Sequence, residues 1–323
     1  MNPEPKEVVV SVQNLEKRFG DFIAVNRINL DVTRGEIFGF LGPNGAGKST
    51  TIRMLCGILN PTAGQGRVAG YDIFRESEQI KEHIGYMSQK FSLYEDLSVE
   101  ENINFYSGIY NIAAGKKEQR KQWVIEMAGL QEHRQSKAGT LSVGWKQRLS
   151  LGCAILHEPP IVFLDEPTSG VDPLSRRRFW DLIHQMSEQG VTIFVTTHYM
   201  EEAEYCDRLA LIYRGELTAM GTPRELKTNL MKDQIIELKT LHPQDLIEPL
   251  QKVTGVKEVA LYGGGLHLVV EDFARIQPEL QSTLQRLNST AFIKRVDPSL
   301  EDVFVSLIEA RERSERPQQG VRK

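Results

Sequence analysis

The sequence predicts an α/β fold built on a mainly parallel sheet, followed by a smaller α+β unit. Three observations carry this. Apolar strand-like runs at Glu36–Leu41, Ile161–Leu164 and Val191–Thr197 alternate with stretches of helical character, and helices between strands imply a parallel sheet. The first run opens into the glycine-rich stretch Gly42–Thr50, with a helix expected behind it through about Leu59. Beyond roughly Leu230 the order becomes strand, helix, strand, strand, helix, strand, which is the split βαβ arrangement.

Taken in order, Val8–Val12 and Ile28–Val32 read as short, partly alternating strands, and Gly35 turns the chain into Glu36–Leu41. Asn60–Gly70 is crowded with turn residues, and Ile84–Ser88 is another short strand. From Ser98 to about Leu156 the pattern is helical, interrupted at Gly115, Gly129 and Gly139. In the last third, Ile235–Lys239, Val256–Tyr262, Leu266–Val270 and Ala291–Val296 read as strands and Gly263–Gly265 as a turn. Pro243–Val253, Phe273–Leu287 and Ser299–Ala310 read as helices. The expected organisation is a large domain over 1–230 with a helical subdomain at about 98–156, a small domain over 231–310, and a disordered polar tail over 311–323.

A chain of 323 residues suits one large domain plus a small one, and 40% hydrophobic with 25% charged residues is an ordinary globular balance. The formal net charge of −4 argues against a dedicated nucleic-acid binder, so no nucleic-acid partner is expected. Cys56, Cys153 and Cys206 are far apart and form no CxxC pair, which points to reduced thiols in a cytoplasmic protein and away from zinc or disulfides. No apolar run reaches the roughly eighteen residues of a membrane span. The opening MNPEPKEVVVSV lacks the apolar core and cleavage pattern of a signal peptide. Any membrane role is expected to come through a partner.

The chemistry begins with GPNGAGKST, which fits GxxxxGK[ST] through Gly42, Gly47, Lys48 and Ser49. Backbone N–H groups of such a loop wrap phosphates, and glycines permit the close approach. Gly42, Pro43, Asn44, Gly45, Ala46, Gly47, Lys48, Ser49 and Thr50 form the expected binding loop, and the helix behind it turns its positive end to the anion. Lys48 is expected to reach the β- and γ-phosphates and Ser49 to place its hydroxyl on Mg²⁺. By itself the loop leaves GTPase, kinase, helicase and transporter open.

The next motifs narrow the choice. IVFLDEPTSGVD, Ile161–Asp172, is an apolar strand ending in two carboxylates, and it resembles the extended Walker B of ATP-binding-cassette (ABC) ATPases. LSVGWKQR, Leu141–Arg148, lies upstream of it and resembles the ABC signature LSGGQ with its usual tail. Ser142 can cap the following helix, leaving N–H groups for an anion. Val143 stands where the family has its first glycine, and Trp145 where it has glutamine.

The resemblance covers roughly residues 8–230 and implies a P-loop NTPase ABC cassette with an antiparallel N-terminal β part. It also implies roles. Asp165, with Ser49 and Gln89, would hold Mg²⁺; Glu166 would polarise the attacking water; Gln89 and His198 would be the Q-loop glutamine and the switch histidine. Ser142, Gly144 and Asp172 would meet the nucleotide across a dimer. Phe19 would stack on adenine with Val25 beside it, although an aromatic there could equally be core. Glu166, His198, Lys48 and Gln89 are thus the expected catalytic set and ATP with Mg²⁺ the expected cofactors. The remaining histidines are read as structural or surface residues.

The C-terminal part, ending PSLEDVFVSLIEA, resembles the small extra domain of bacterial cassette subunits whose permease is a separate polypeptide, here expected to be α+β and ferredoxin-like. That resemblance implies an exporter of drugs, lipids or other compounds, peripheral on the inner face of the cell membrane. Its partners would be separate integral-membrane permease subunits, a second ATP-binding subunit (expected to be another copy of this chain) and a periplasmic adaptor protein. Phe91, Leu93 and Tyr94, after Gln89, would border the groove for a permease helix or else pack the helical subdomain. Two other readings stand beside this one: a soluble ABC protein of DNA repair or translation, and a regulatory subunit with weak hydrolysis.

Overall fold

Strands β1 (Val8–Phe19) and β2 (Phe22–Thr33) form a long antiparallel pair at the start of the chain. The computed structural model describes residues 7–231, 233–287 and 289–315. After the pair come β3 (Ile37–Leu41), α1 (Lys48–Leu55), β4 (Ala63–Val68), β5 (Tyr71–Asp72), α2 (Ser77–His83) and β6 (Ile84–Met87). The antiparallel sheet runs β2-β1-β4-β5. Strand β4 lies inside Asn60–Gly70, where the sequence suggested only turns. The reason is local. A Cβ on Gly64 would sit 2.4 Å from the Asn14 carbonyl oxygen, and one on Gly66 2.8 Å from the Val12 side chain, so these glycines let β4 close on β1. Helix α1 stops short of the expected Leu59 because the chain turns left-handed at Gly57, φ 66°.

Three helices follow: α3 (Val99–Ile109), α4 (Ala114–Met127) and α5 (Val143–Ala154). Ser98 and Glu101 make a reciprocal capping box that starts α3. Val99, Ile103, Val124, Ile125 and Leu149 meet in one apolar cluster, which makes these helices a subdomain. Gly129, at φ 67°, ends α4, whereas Gly115 lies inside its first turn and interrupts nothing.

The rest of the first unit is β7 (Ile161–Asp165), α6 (Pro173–Glu188), β8 (Thr192–Thr197), α7 (Met200–Ala203), β9 (Arg208–Tyr213) and β10 (Glu216–Gly221). The last two strands form a hairpin that the sequence reading did not anticipate. The main sheet runs β10-β9-β3-β8-β7-β6, parallel except for β10. Strands β3, β7 and β8 are buried along their whole length, which is why they read as continuous apolar runs. Phe38, Phe40 and Phe163 each lie 5.4–5.6 Å, ring to ring, from Phe194. Full burial of each such ring contributes roughly 1.5–3 kcal/mol. This order also sets out the chemistry. The chain leaves β3 into the glycine loop, β8 into His198, β7 into Glu166 and β6 into Gln89, all at the same edge of adjacent parallel strands, where ligands bind in such sheets.

The chain divides into two compact units between Pro223 and Arg224. After α8 (Pro223–Leu230) come β11 (Gln234–Lys239), a 3₁₀ turn at Pro243–Leu246, α9 (Ile247–Gln251), β12 (Val256–Tyr262), β13 (Gly265–Val270), α10 (Phe273–Arg286), β14 (Phe292–Val296) and α11 (Leu300–Glu315). The sheet β12-β13-β11-β14 is wholly antiparallel and has the ferredoxin-like order. Its core joins Ile236, Leu238 and Leu268 of the strands to Leu250, Ile276 and Leu280 of the helices. Helix α11 runs on through Glu315, so 311–315, expected to be disordered, are helical; the rest of the expected tail, 316–323, lies outside the described residues.

Candidate active site

The glycine loop fits its track only with glycines. A Cβ on Gly42 would lie 2.2 Å from the Ile212 carbonyl oxygen, and one on Gly47, at φ 109°, would lie 2.5 Å from that of Ala24. Gly47 caps α1, whose first residue is Lys48. The Lys48 ammonium donates to the carbonyls of Gly42 at 2.8 Å and Pro43 at 3.1 Å, folding the loop back on itself. Ala46 packs into the core, while Asn44, Gly45, Gly47, Lys48, Ser49 and Thr50 line a cleft of about 410 Å³.

Opposite the loop, the two carboxylates of β7 take different partners. Asp165 Oδ1 accepts from Ser49 Oγ at 2.9 Å and from Thr196 Oγ1 at 2.8 Å. Its Oδ2 is buried without a hydrogen-bond partner, and burial raises the carboxyl's pKa against the pull of Thr196 and Ser49. An orphaned acceptor beside a serine hydroxyl and a phosphate loop fits a divalent cation. Among the described residues no group of three or more His, Cys, Asp or Glu could hold a metal by itself.

Glu166 is the point of convergence. Its Oε1 lies 3.0 Å from Lys48 Nζ, and its Oε2 lies 3.1 Å from both Gln89 Nε2 and His198 Nδ1. The residue is held at φ 47°, a left-handed conformation that side chains rarely adopt, by hydrogen bonds from its N–H to Thr196. Lys48, Ser49, Gln89, Asp165, Glu166 and His198, chosen from four separate motifs, thus meet at one site.

The other expected residues lie elsewhere. Ser142, Gly144 and Asp172 do not line the cleft. Ser142 is exposed at the start of α5 and makes no capping hydrogen bond, contrary to the expected cap, so its hydroxyl and the helix N-terminus stay open together. A Cβ on Gly144 would lie 2.7 Å from Ser175 Oγ, and Ser175 N–H donates to Asp172 at 2.9 Å. The signature glycine is therefore fixed by the close approach of α5 to the start of α6. Trp145 points away, into the helical subdomain, with the His133 ring at 4.7 Å and the Arg148 guanidinium at 4.7 Å.

Phe19 lines the cleft and is 49% exposed, so it is not core. Val25 is corrected: it is fully buried in the core, and the cleft wall there is Ala24 with Phe22. Phe22 went unnoticed in the sequence; a second exposed aromatic at the tip of a β-hairpin was the available signal. Thr196 and Glu202 were missed as well, since nothing in a β-branched strand or an acidic helix distinguishes a hydroxyl or carboxylate turned inward.

Comparison with known proteins agrees with this geometry. Residues 25–169 match the family described as ABC transporter, and residues 221–308 match the ATP-binding protein DrrA1-3-like C-terminal domain. Residues 146–202 also match an AAA domain described as putative AbiEii toxin, Type IV TA system. The probable multidrug ABC transporter ATP-binding protein YbhF of Escherichia coli is 52% identical over 230 residues, 71% of this chain; the chain spans only 40% of that relative's length. The Nod factor export ATP-binding protein I of Burkholderia lata is 35% identical over 92% of this chain and 96% of its own. Among solved structures, the dimeric post-hydrolysis state of the ATP-binding cassette MJ0796, bound to ADP and Pi, superposes with a TM-score of 0.61 at 25% identity, covering 66% of this chain and 98% of that one. Motifs, fold and relatives agree: the chain belongs to the ATP-binding proteins of the ABC transporter family.

Proposed function

We propose that this chain hydrolyses ATP and that the hydrolysis powers export through a permease on separate polypeptides. The observation that carries the reading is the convergence of Lys48, Gln89 and His198 on Glu166, beside Asp165 and Ser49. Lys48 and the loop N–H groups bind and orient the triphosphate, and Phe19 with Phe22 offers the adenine a stacking surface. Glu166 orients the attacking water and draws its proton, and His198 steadies the γ-phosphate. Ser49, Asp165 and Gln89 would hold Mg²⁺, and the ion would supply neutralisation of the charge that develops on the transferring phosphoryl group.

The open N-terminus of α5 supports a sandwich dimer, in which Ser142 and Gly144 of one copy cover the γ-phosphate held by the other. The dimeric state of the MJ0796 cassette supports the same arrangement. Among the described residues no helix is long and apolar enough to cross a membrane; in this reading a separate permease attaches the chain to the inner face of the membrane. Tyr94 and Phe105, in edge contact at 4.5 Å and exposed by 48% and 39%, form an apolar surface after Gln89 that suits a permease helix. The name of the Nod factor export protein supports export, and that of YbhF, a probable multidrug transporter protein, supports drug-like cargo. Purification of the tagged chain from detergent-solubilised membranes tests the reading. A co-purifying permease that stimulates ATP turnover supports it; recovery with ribosomes or DNA instead favours the soluble alternative.

A further inference from the structure

A carboxylate outside the named motifs sits directly behind the hydrolytic centre. Glu202, in α7, is fully buried. It accepts hydrogen bonds from Thr168 Oγ1 and, at 2.8 Å, from Thr197 Oγ1, and Arg176 Nε lies 3.4 Å away. Both threonines are themselves about 1% exposed. Burial raises the Glu202 carboxyl's pKa, while Thr168, Thr197, Arg176 and His198 all pull it back. A buried carboxylate is costly unless its lone pairs are satisfied, and here the partners come from the turn after β7, the end of β8 and helix α6.

The positions of those partners give the group its meaning. Thr168 is two residues beyond Glu166, on the turn leaving β7. Thr197 is the residue before His198, and its hydroxyl also accepts from the Tyr199 N–H at 3.0 Å. Arg176, from α6, packs on the Tyr199 ring at 4.4 Å and reaches the Val171 carbonyl at 3.5 Å, next to Asp172. One side chain thus ties the segment bearing Glu166 to the segment bearing His198, and through Arg176 to the segment bearing Asp172. The left-handed backbone at Glu166 persists only if its surroundings over-determine it, and this tie lies immediately downstream of that strained residue.

We propose that Glu202 is a positioning residue for ATP hydrolysis: it sets the Glu166–His198 separation and couples it to the dimer-facing loop at Asp172, without touching nucleotide. A glutamine in its place keeps the shape, but its amide nitrogen cannot accept from a threonine hydroxyl and offers no charge to Arg176. Phosphate binding rests on Lys48 and the glycine loop, which Glu202 does not contact, so turnover is affected and nucleotide affinity is spared.

The inference rests on the proposed hydrolysis at this site, and the test separates the two. MgATP turnover is measured on the full chain, as wild type, Glu202→Gln, Thr168→Val and Thr168→Ser. The expected result is a kcat lower by about 10- to 100-fold in Glu202→Gln and Thr168→Val, the size expected when reacting groups shift by about an ångström. KM for MgATP stays within about two-fold, and Thr168→Ser, which restores the hydroxyl, recovers most of the rate. If Glu202→Gln does not fold, the isosteric Thr168→Val with its serine rescue decides. Unchanged kcat, a parallel loss of kcat and MgATP affinity, or no rescue by serine overturns the positioning role while wild-type turnover leaves the functional reading intact. A wild type that does not hydrolyse MgATP overturns both.

Discussion

Lys48 Nζ and Glu166 Oε1 form an ion pair at 3.0 Å in which both side chains are more than nine-tenths buried. The cation expected to grip phosphate and the carboxylate expected to orient water are partners. On the proposed reading, a triphosphate in the loop would compete with Glu166 for Lys48 and would free the carboxylate toward the attacking water. Lys48→Ala removes the cation while Gln89 and His198 still hydrogen-bond Glu166. MgATP affinity and turnover are expected to collapse with far-ultraviolet circular dichroism unchanged. Titration with a fluorescent ATP analogue checks this, and a normal titration would remove Lys48 from phosphate binding.

The altered signature is expected to work. Trp145 packs within the helical subdomain, and Val143, 46% exposed, leaves the helix N-terminus accessible. In a hydrolysis-blocked background, MgATP should drive the chain into homodimers, and Ser142→Arg should abolish them by placing bulk where the γ-phosphate sits. Light scattering with and without MgATP reads the outcome. Dimers that form only with a second cassette protein would mean that the signature is degenerate.

Tyr94→Ala should leave basal hydrolysis intact, because the ring packs against Phe105 on the surface and not in the cleft. Permease-dependent stimulation should fall several-fold. Equal stimulation of variant and wild type would place the anchor elsewhere.

His157 gives the fold a pH dependence. Burial pushes its pKa from 6.5 down to about 4; it hydrogen-bonds the Ile84 carbonyl at 3.1 Å and stacks on Tyr110 at 3.8 Å, joining β6 to the helical subdomain. The unfolded chain takes up this proton first as pH falls. Its contribution is therefore whole above pH 6.5 and is lost on the way down to about pH 4. The loss should be on the order of 3 kcal/mol. Urea melts of wild type and His157→Gln across this range should show a shallower decline for the variant.

What was legible in the sequence follows from how each feature is encoded. Strands β3, β7 and β8 are buried on both faces and so are written as apolar runs; the glycine loop is written in residues that no other side chain can replace. The β9–β10 hairpin escaped notice because β10 is a half-exposed edge with no clear alternation. Strand β4 escaped because glycines needed for close approach look like turn residues. At the site, Lys48, Ser49, Gln89, Asp165, Glu166 and His198 are all legible as motif residues and lie together, whereas Ser142, Gly144 and Asp172 lie outside the cleft. Val25 was misplaced because one residue's shift along a strand exchanges cleft for core, and Glu202 was missed because its partners come from three separate segments of the chain, a turn, a strand end and a helix.

Phosphate release from MgATP by the purified chain, wild type against Glu166→Gln, tests the central claim most directly. Wild type should turn over, and the variant should bind ATP yet release phosphate about 10²- to 10⁴-fold more slowly, the usual cost of losing a general base. A variant that turns over near the wild-type rate would contradict the assignment of this site.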